Sequence, residues 1–317
     1  MKITRRNFLV SAASLGACGG LGALVLNGEA SPAFVWRGAA LGGEARVSLF
    51  GPDREQAHAA LDAVAREIDR LEAIFSLHRS DSELSGLNAA GYISAPSRDL
   101  RDVLRAAIEW RKATGGAFDP TIQTVWMAAA DSAEITPALL ATAGTTVILD
   151  DAAVTLQQGS KLTLNGIAQG RIADRVTEVL ATHGFTDVVI DAGELRLPGR
   201  QRRAVGIPAA KEAVSVAEVA IATSEPKSLV FDHATWRHHL IDPRTGVSPR
   251  HWESISVFAP TAEKADALST GFAVMPHEAV ADIAQSIGDV AVIGRDGKGR
   301  IRRLGDKALF GSQGRTS

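Results

Sequence analysis

Two oxygen-bearing side chains in the last third of the chain have a spacing that suits a hard metal ion. Asp266 and Thr270 stand four residues apart in a segment, 261–275, that begins with a helix-capping residue, Thr261, and is followed by Pro276. Positions i and i+4 share one helix face, so the carboxylate and the hydroxyl point the same way. Oxygen donors without nitrogen or sulfur suit Mg²⁺, but such pairs are also common on solvated helix faces. The pair therefore needs support from other parts of the chain.

A second segment has the pattern of an anion-binding turn. Residues 161–164 alternate like a strand, a glycine-bearing turn follows, and a helix is predicted from about Gly170 to His183, where Gly184 stops it. Free backbone N–H groups and the helix dipole favour a negative charge at such a turn. The segment lacks the Gly-Lys-Ser/Thr of a Walker A motif and the spacing of a GxGxxG fingerprint. The sequence therefore predicts an anion site of another kind.

Two adjacent histidines, His238 and His239, suggest a transition-metal pair at first sight. Adjacent residues of an extended strand point to opposite faces, so the two rings do not easily share one ion. A zinc-type site built on both histidines is therefore disfavoured.

The elements that must position these groups follow from periodicity and capping residues. A helix with a regular apolar stripe is predicted over 53–75, and another begins after Ser97 and ends at Gly115-Gly116. The polar run Ser82–Asn88, taken alone, has the composition of a loop with capping residues. Strands are predicted towards the end of 34–50 and at 188–190, 219–223 and 255–259, with a hairpin around Asp296-Gly297. This mixture predicts an α+β fold.

Composition limits the function classes. The chain has 317 residues, 45% of them hydrophobic, which is enough for one large domain or two closely joined lobes with a full core. A net charge of −2 gives no basic surface, so a nucleic-acid partner is not expected, although a local phosphate pocket remains compatible. The one cysteine, Cys18, lies near the N-terminus, so no internal disulfide or thiolate metal site is expected after it.

Residues 1–30 are predicted to be a twin-arginine export signal, and 31–317 the mature domain. The stretch Thr4–Leu9 carries the paired arginines, and an apolar run rich in glycine and alanine follows to Leu26. This run is short for a membrane span. Leu15–Cys18 also resembles a lipobox, so anchoring through the leader or a lipidated Cys18 is the alternative. We expect a periplasmic protein.

Longer motifs resemble the ApbE family, the FAD:protein FMN transferases. His239–Gly246 is similar to the family's His-Ile-Ile-Asp-Pro-x-Thr-Gly, and Ala265–Gly271 is similar to its Ala-Asp-Ala-Leu-Ala-Thr-Ala. Both strings are long and gapped. Further matches lie at 75–88, 116–121, 161–175, 188–196 and 219–224, so the resemblance spans nearly the whole mature chain.

The resemblance implies a site where FAD and Mg²⁺ meet. It assigns the cation to the Gly166 carbonyl and to the Asp266 and Thr270 side chains. It places FAD against Leu41, His78, Ala117, Phe118, Asp119, Gln169, Leu240 and Ile241. Because His239 precedes the Leu240-Ile241 segment that borders the cofactor, we expect it to be the general base.

Four positions depart from the family pattern. Leu41 replaces the methionine of a Met-Gly-Thr motif, and His78 replaces a tyrosine that lies over the cofactor. Asn165 replaces a glycine, and Gln169 replaces a lysine. A carbonyl ligand at Gly166 needs no particular side chain beside it. Gln169 loses the positive charge of lysine and keeps the ability to hydrogen-bond.

The resemblance implies an ApbE-like fold of two closely joined sub-lobes with the flavin in the cleft between them. The implied activity is Mg²⁺-dependent transfer of FMN from FAD to a threonine of a partner protein, with release of AMP. The expected partner is a membrane-associated redox subunit, since some family members serve nitrous-oxide respiration or membrane redox pumps. Two alternatives are an FAD pyrophosphatase and a periplasmic FAD-binding chaperone or assembly factor. The departures at His78, Asn165 and Gln169 keep the chaperone alternative open, whereas the presence of Asp266, Thr270 and His239 argues against it.

Overall fold

The computed structural model describes residues 24–26, 34–51 and 53–310. Its largest element is an eight-stranded sheet in which all neighbouring strands are antiparallel. The strands of the described residues are, in chain order, β1 (Leu24–Leu26), β2 (Phe34–Ala40), β3 (Gly43–Leu49), β4 (Tyr92–Ser94), β5 (Val147–Leu149), β6 (Ala153–Leu156), β7 (Val188–Asp191), β8 (Leu195–Leu197), β9 (Arg203–Ile207), β10 (Glu212–Val216), β11 (Val219–Ser224), β12 (Val230–Asp232), β13 (Arg237–His238), β14 (Trp252–Ala259), β15 (Ala291–Asp296) and β16 (Ile301–Gly305).

Helices connect these strands and cover the large sheet. In the same part of the chain they are α1 (Arg54–Phe75), α2 (Glu83–Ala90), α3 (Arg98–Ala113), α4 (Gln123–Ala130), α5 (Pro137–Leu140), α6 (Ala168–Thr182), α7 (Ala262–Ala273) and α8 (His277–Ile287). The large sheet has the spatial order β16-β15-β14-β11-β8-β7-β3-β2. Helices combined with antiparallel sheets form an α+β architecture, as predicted.

The middle of the large sheet is buried on both faces. Along β11, Ala220 and Ala222 belong to a core cluster that includes apolar residues of α1, α6 and α7. Their neighbours Val219 and Ile221 belong to a second cluster, formed with β9 and β10 of a small sheet in the order β1-β9-β10. Alternation along one strand thus divides side chains between two cores, as the period of two residues requires.

A third, smaller cluster lies apart from these two cores. It joins Val125 and Ala129 of α4 to Ala143 and to Ile241, which precedes the turn at Asp242. The cleft described below is lined by residues of both this cluster and the main core, including Ile241 on one side and Leu240 on the other. The cleft therefore lies where two closely joined parts of the fold meet.

Most predicted helix boundaries are confirmed by their caps. Asp53 accepts a hydrogen bond from the Gln56 N–H at the start of α1, and Thr261 does the same for Lys264 at the start of α7. Ser97 caps α3 through the N–H of Leu100. Side-chain oxygens at the N-cap satisfy backbone donors that have no partner in the first helical turn.

One local prediction is wrong. Residues 161–164 keep the alternating burial of a strand but form only one isolated bridge, at Lys161, because the Asn88 side chain takes up both the N–H and the carbonyl of Leu162. The run Ser82–Asn88, which taken alone has the composition of a loop with capping residues, begins helix α2. Ser82 is the N-cap of α2, and its hydroxyl accepts from the Ser85 N–H.

The predicted export signal falls mostly outside the described residues, and so does Cys18. The exception is Leu24–Leu26, whose backbone pairs antiparallel with Ala204–Gly206 of β9. In the described ranges no helix is both long and apolar enough to span a membrane.

Candidate active site

One cleft brings together all residues that the sequence assigns to the site. The cleft opens to solvent and has both polar and apolar walls, as ligand sites commonly do. The predicted residues that line it are Leu41, His78, Ala117, Phe118, Asp119, Gly166, Gln169, His239, Leu240, Ile241, Asp266 and Thr270. They come from chain positions far apart, so folding alone makes them neighbours. Their individual roles remain predictions.

The three predicted metal ligands meet where α6 and α7 pack together. A methyl group at Gly166 would lie 2.7 Å from the Thr270 hydroxyl, so only glycine lets this backbone approach α7 so closely. The Gly170 N–H, in the first turn of α6, donates to Asp266 Oδ2 over 3.0 Å. The carboxylate, the hydroxyl and the Gly166 backbone therefore share one corner of the cleft.

The packing of α6 on α7 is held by backbone contacts. Both oxygens of Asp174 on α6 accept hydrogen bonds, at 2.9 Å each, from the Ala262 and Glu263 N–H groups that begin α7. A methyl group at Gly170 would lie 2.2 Å from the Ala262 carbonyl oxygen. The start of one helix thus fixes the position of the other, and with it the position of Asp266.

Replacing Gly170 with alanine is expected to lower the free energy of unfolding by about 3 kcal/mol, the upper end of typical overpacking costs, because the obstructing atoms are backbone. Denaturant unfolding measures this change. The control is Gly86→Ala on the exposed side of α2, where no atom lies within 4 Å of the added methyl. That variant should gain about 0.5–1 kcal/mol from helix propensity. Equal effects of the two substitutions would contradict the close-packing argument.

Asp266 is an acid in a desolvated position. Its side chain is 3% exposed. Burial raises the pKa of Asp266 to about 8. The hydrogen bond from the Gly170 N–H opposes this rise, and the negative charges of Glu263 and Asp174 add to it. A carboxylate this costly to ionise is stabilised when a cation binds beside it.

His239 is held as a neutral base. Its Nδ1 lies 3.2 Å from the carbonyl oxygen of Leu229, which can only accept, so Nδ1 carries the hydrogen and Nε2 keeps its lone pair. Burial lowers the pKa of His239 to about 4. The adjacent His238 is fully buried away from the cleft and donates from Nε2 to the Pro249 carbonyl over 3.0 Å. The two rings thus serve different environments, as the strand geometry predicts.

The turn at Ala117–Asp119 is stabilised from within. Asp119 Oδ1 accepts from both the N–H and the hydroxyl of Thr121, and Oδ2 lies 3.0 Å from Arg111 Nε. The Asp119 carboxylate, which is predicted to contact FAD, is therefore already used to hold the turn. Its contribution to a ligand is to fix the backbone and the Phe118 side chain at the cleft wall.

Another acid, Glu194, lines the same cleft and was not predicted as a site residue. It follows Gly193 in the turn between β7 and β8, where sequence reasoning finds a strand end and a contact equally plausible. Burial, with the negative charges of Asp266 and Asp191, raises the pKa of Glu194 well above its usual range. The signal available in the sequence was an acid directly after a glycine turn that ends a buried strand.

The ApbE family model matches residues 41–293 of this chain. The chain belongs to the ApbE family. Curated relatives are named FAD:protein FMN transferase. The protein from Treponema pallidum is 32% identical over 267 residues, covering 70% of this chain and 73% of its own length. That from Haemophilus influenzae is 28% identical and covers 73% of this chain and 76% of its own length. The name given to both relatives is that of a transferase enzyme.

Solved ApbE structures share the fold. An ApbE protein from Thermotoga maritima superposes with a TM-score of 0.77 at 22% identity, covering 87% of this chain and 98% of its own. The apo form of the flavinyl transferase ApbE from Pseudomonas stutzeri gives 0.74 at 22% identity, over 90% and 100% of the two chains. At this identity the likeness establishes the ApbE-like fold that the motifs predict.

The positions that depart from the ApbE motifs have distinct surroundings. His78 is exposed at the cleft mouth, and Asn165 is exposed beside Gly166. Gln169 packs over Gly193, where a methyl group would lie 2.4 Å from its amide nitrogen. The amide that replaces the family's lysine thus sits in the cleft without charge. As a result, no lysine or arginine is found among the described residues that line the cleft.

Proposed function

We propose that this protein is an FAD:protein FMN transferase that moves FMN from FAD to a threonine hydroxyl of a partner protein and depends on Mg²⁺. Family membership supports the transfer. One observation carries the cation requirement: the cleft is lined by Asp266, Glu194 and two further acids, with no lysine or arginine among its described residues. These carboxylates repel a pyrophosphate when they are ionised, and a cation bound between them would offset that repulsion.

The residues fit a hard cation. Asp266 supplies a carboxylate, Thr270 a hydroxyl and Gly166 a backbone carbonyl, the oxygen types that Mg²⁺ prefers. No cluster of three or more His, Cys, Asp or Glu side chains suited to a metal occurs in the described part of the chain. A cation here would therefore share its coordination with substrate oxygens and water. When bound, Mg²⁺ supplies positive charge that stabilises the phosphate oxygens and the leaving AMP.

Residues of the chain itself then bind FAD and accept the proton of the acceptor hydroxyl. The Ala117–Asp119 turn and the apolar pair Leu240-Ile241 hold FAD in the cleft. His239 Nε2 accepts the proton of the acceptor's threonine hydroxyl. The hydroxyl oxygen forms a bond to the phosphorus of the FMN half of FAD as it loses that proton. The bond from that phosphorus to the bridging oxygen breaks, and AMP leaves with that oxygen.

The test is the intact mass of a threonine-bearing acceptor domain after incubation with this protein, FAD and Mg²⁺, with and without EDTA. We expect a metal-dependent gain of one FMN and release of an equal amount of AMP. Free FMN and AMP without labelling of any acceptor tested would indicate an FAD pyrophosphatase. FAD binding without cleavage would indicate a chaperone.

The setting of the reaction is also a proposal. The paired arginines in Thr4–Leu9 favour twin-arginine export of a folded protein to the periplasm, with anchoring through the leader or Cys18 as the alternative. The acceptor proposed is a subunit of a membrane-associated redox complex, such as one of nitrous-oxide respiration. Fractionation of cells that make the full chain, followed by mass analysis of the processed N-terminus, tests the location.

A further inference from the structure

Glu194 has a carboxylate that the reaction described above does not use. The residue is 7% exposed, lines the cleft, and has an oxygen, Oε2, with no hydrogen-bond partner among the described residues. The Thr223 backbone N–H lies near the same carboxylate and opposes the rise that burial gives its pKa. Buried polar atoms are almost always paired, so an unpaired oxygen at a cleft wall indicates a partner that enters with the ligands.

The charged groups around Glu194 indicate that this partner carries a positive charge. The charges that act on it are those of Asp266, which lines the same cleft, and Asp191, at the end of β7. Arg46 interacts with Asp191, and Arg196 Nε lies 3.4 Å from Asp174 Oδ1, so neither cation is among the charges that act on Glu194. Glu194 therefore faces other acids in a desolvated position, which is stable only when protonated or when a cation binds.

We infer that Glu194 is a further carboxylate ligand of the divalent-cation site formed by Asp266, Thr270 and the Gly166 carbonyl. This inference rests on the proposed function. The neutral amide of Gln169 packs against Gly193, directly before Glu194, where ApbE relatives with a lysine would have a positive charge. No lysine or arginine is among the described residues that line the cleft, so a bound cation would supply the positive charge at this corner, and a second carboxylate would keep it bound.

Mn²⁺ is the probe, because free and bound Mn²⁺ are distinguished by electron paramagnetic resonance without any substrate. The full chain is titrated with Mn²⁺ alone. We expect Glu194→Gln to weaken Mn²⁺ binding by about 10–100-fold, as loss of a metal-supporting group does. The matched control is Glu225→Gln. Glu225 lines the same cleft, but its carboxylate already accepts a hydrogen bond from the Ser254 hydroxyl. The Glu225→Gln protein should therefore bind Mn²⁺ with the affinity of the wild type.

Thermal unfolding with and without Mn²⁺ separates a ligand from a structural residue. Without metal, Glu194→Gln should unfold at the wild-type temperature or above, because it removes a buried, unpaired acid. The rise that Mn²⁺ gives the wild type should shrink in this variant. Glu194→Asp, which keeps the charge on a shorter stem, should recover part of the Mn²⁺ affinity. A lower melting temperature without metal, together with wild-type Mn²⁺ affinity, would assign Glu194 to the fold and overturn the inference.

Two further outcomes also test the assignment of Glu194 as a cation ligand. Wild-type Mn²⁺ affinity with weakened FAD binding in Glu194→Gln would make the residue an FAD contact and overturn the inference. In that case FMN transfer by the wild type, measured in parallel, leaves the proposed function standing. If the wild type neither binds Mn²⁺ nor transfers FMN, both proposals fall together.

Discussion

His239→Ala is expected to bind FAD and lose FMN transfer by about 10²–10⁴-fold, the usual contribution of a positioned general base. The ring keeps its hydrogen on Nδ1 through the Leu229 carbonyl, so the lone pair of Nε2 is available for the proton of the acceptor. FAD affinity, followed by flavin fluorescence, should change little, because the cleft walls remain. Transfer is measured by acceptor mass in single-turnover conditions.

The pH dependence gives an independent check on His239. Because burial lowers its pKa to about 4, the ring is neutral above that pH and becomes protonated, and inactive as a base, only as the pH falls through about 4. The acidic limb of kcat/KM should therefore lie near 4 and disappear in His239→Ala. A limb at the ordinary histidine value of about 6.5 would mean that another group titrates.

The adjacent histidine serves as the control. His238→Ala removes a fully buried ring outside the cleft, so it should lower the free energy of unfolding while the rate per folded molecule remains. Wild-type turnover by His239→Ala, or an equal loss in both variants, would remove His239 from the mechanism.

The helices and the cleft residues were predictable because their signals are local. Asp53, Ser97 and Thr261 satisfy the free N–H groups of a helix start, and such caps are visible in any sequence. Asp266 and Thr270 lie on one helix face by spacing alone. The motifs then associated these residues with positions more than 200 residues earlier, such as Leu41, which periodicity cannot do.

The predictions that were wrong, or absent, concern contacts between distant segments. Residues 161–164 fail to form a strand because one side chain, Asn88, occupies the hydrogen-bonding groups of Leu162. Asp119 is paired with Arg111, and the cleft position of Glu194 depends on how β7 and β8 pack against α6. None of these contacts has a periodic signal. They become visible only when the chain is folded.

Asp266→Ala is expected to lose Mg²⁺-dependent FMN transfer by at least about 100-fold, since it removes the charged ligand proposed for the cation. Asp266→Asn refines the test, because an amide oxygen can still accept from the Gly170 N–H while the charge is absent. If the helix contact alone mattered, the asparagine variant would be active. If the charge matters, both variants fail, and more Mg²⁺ restores activity only partially.

A neighbouring acid on the same helix separates charge at the metal from charge in general. Glu263 begins α7, pairs with Arg171 at 3.2 Å and does not line the cleft. Glu263→Gln removes the same charge from α7 as Asp266→Asn, so it should keep the Mg²⁺ requirement and the transfer rate of the wild type. Activity is measured against Mg²⁺ concentration for all the variants. Full activity in Asp266→Ala would exclude Asp266 as a ligand, whereas a loss shared with Glu263→Gln would attribute the effect to the net charge of the helix.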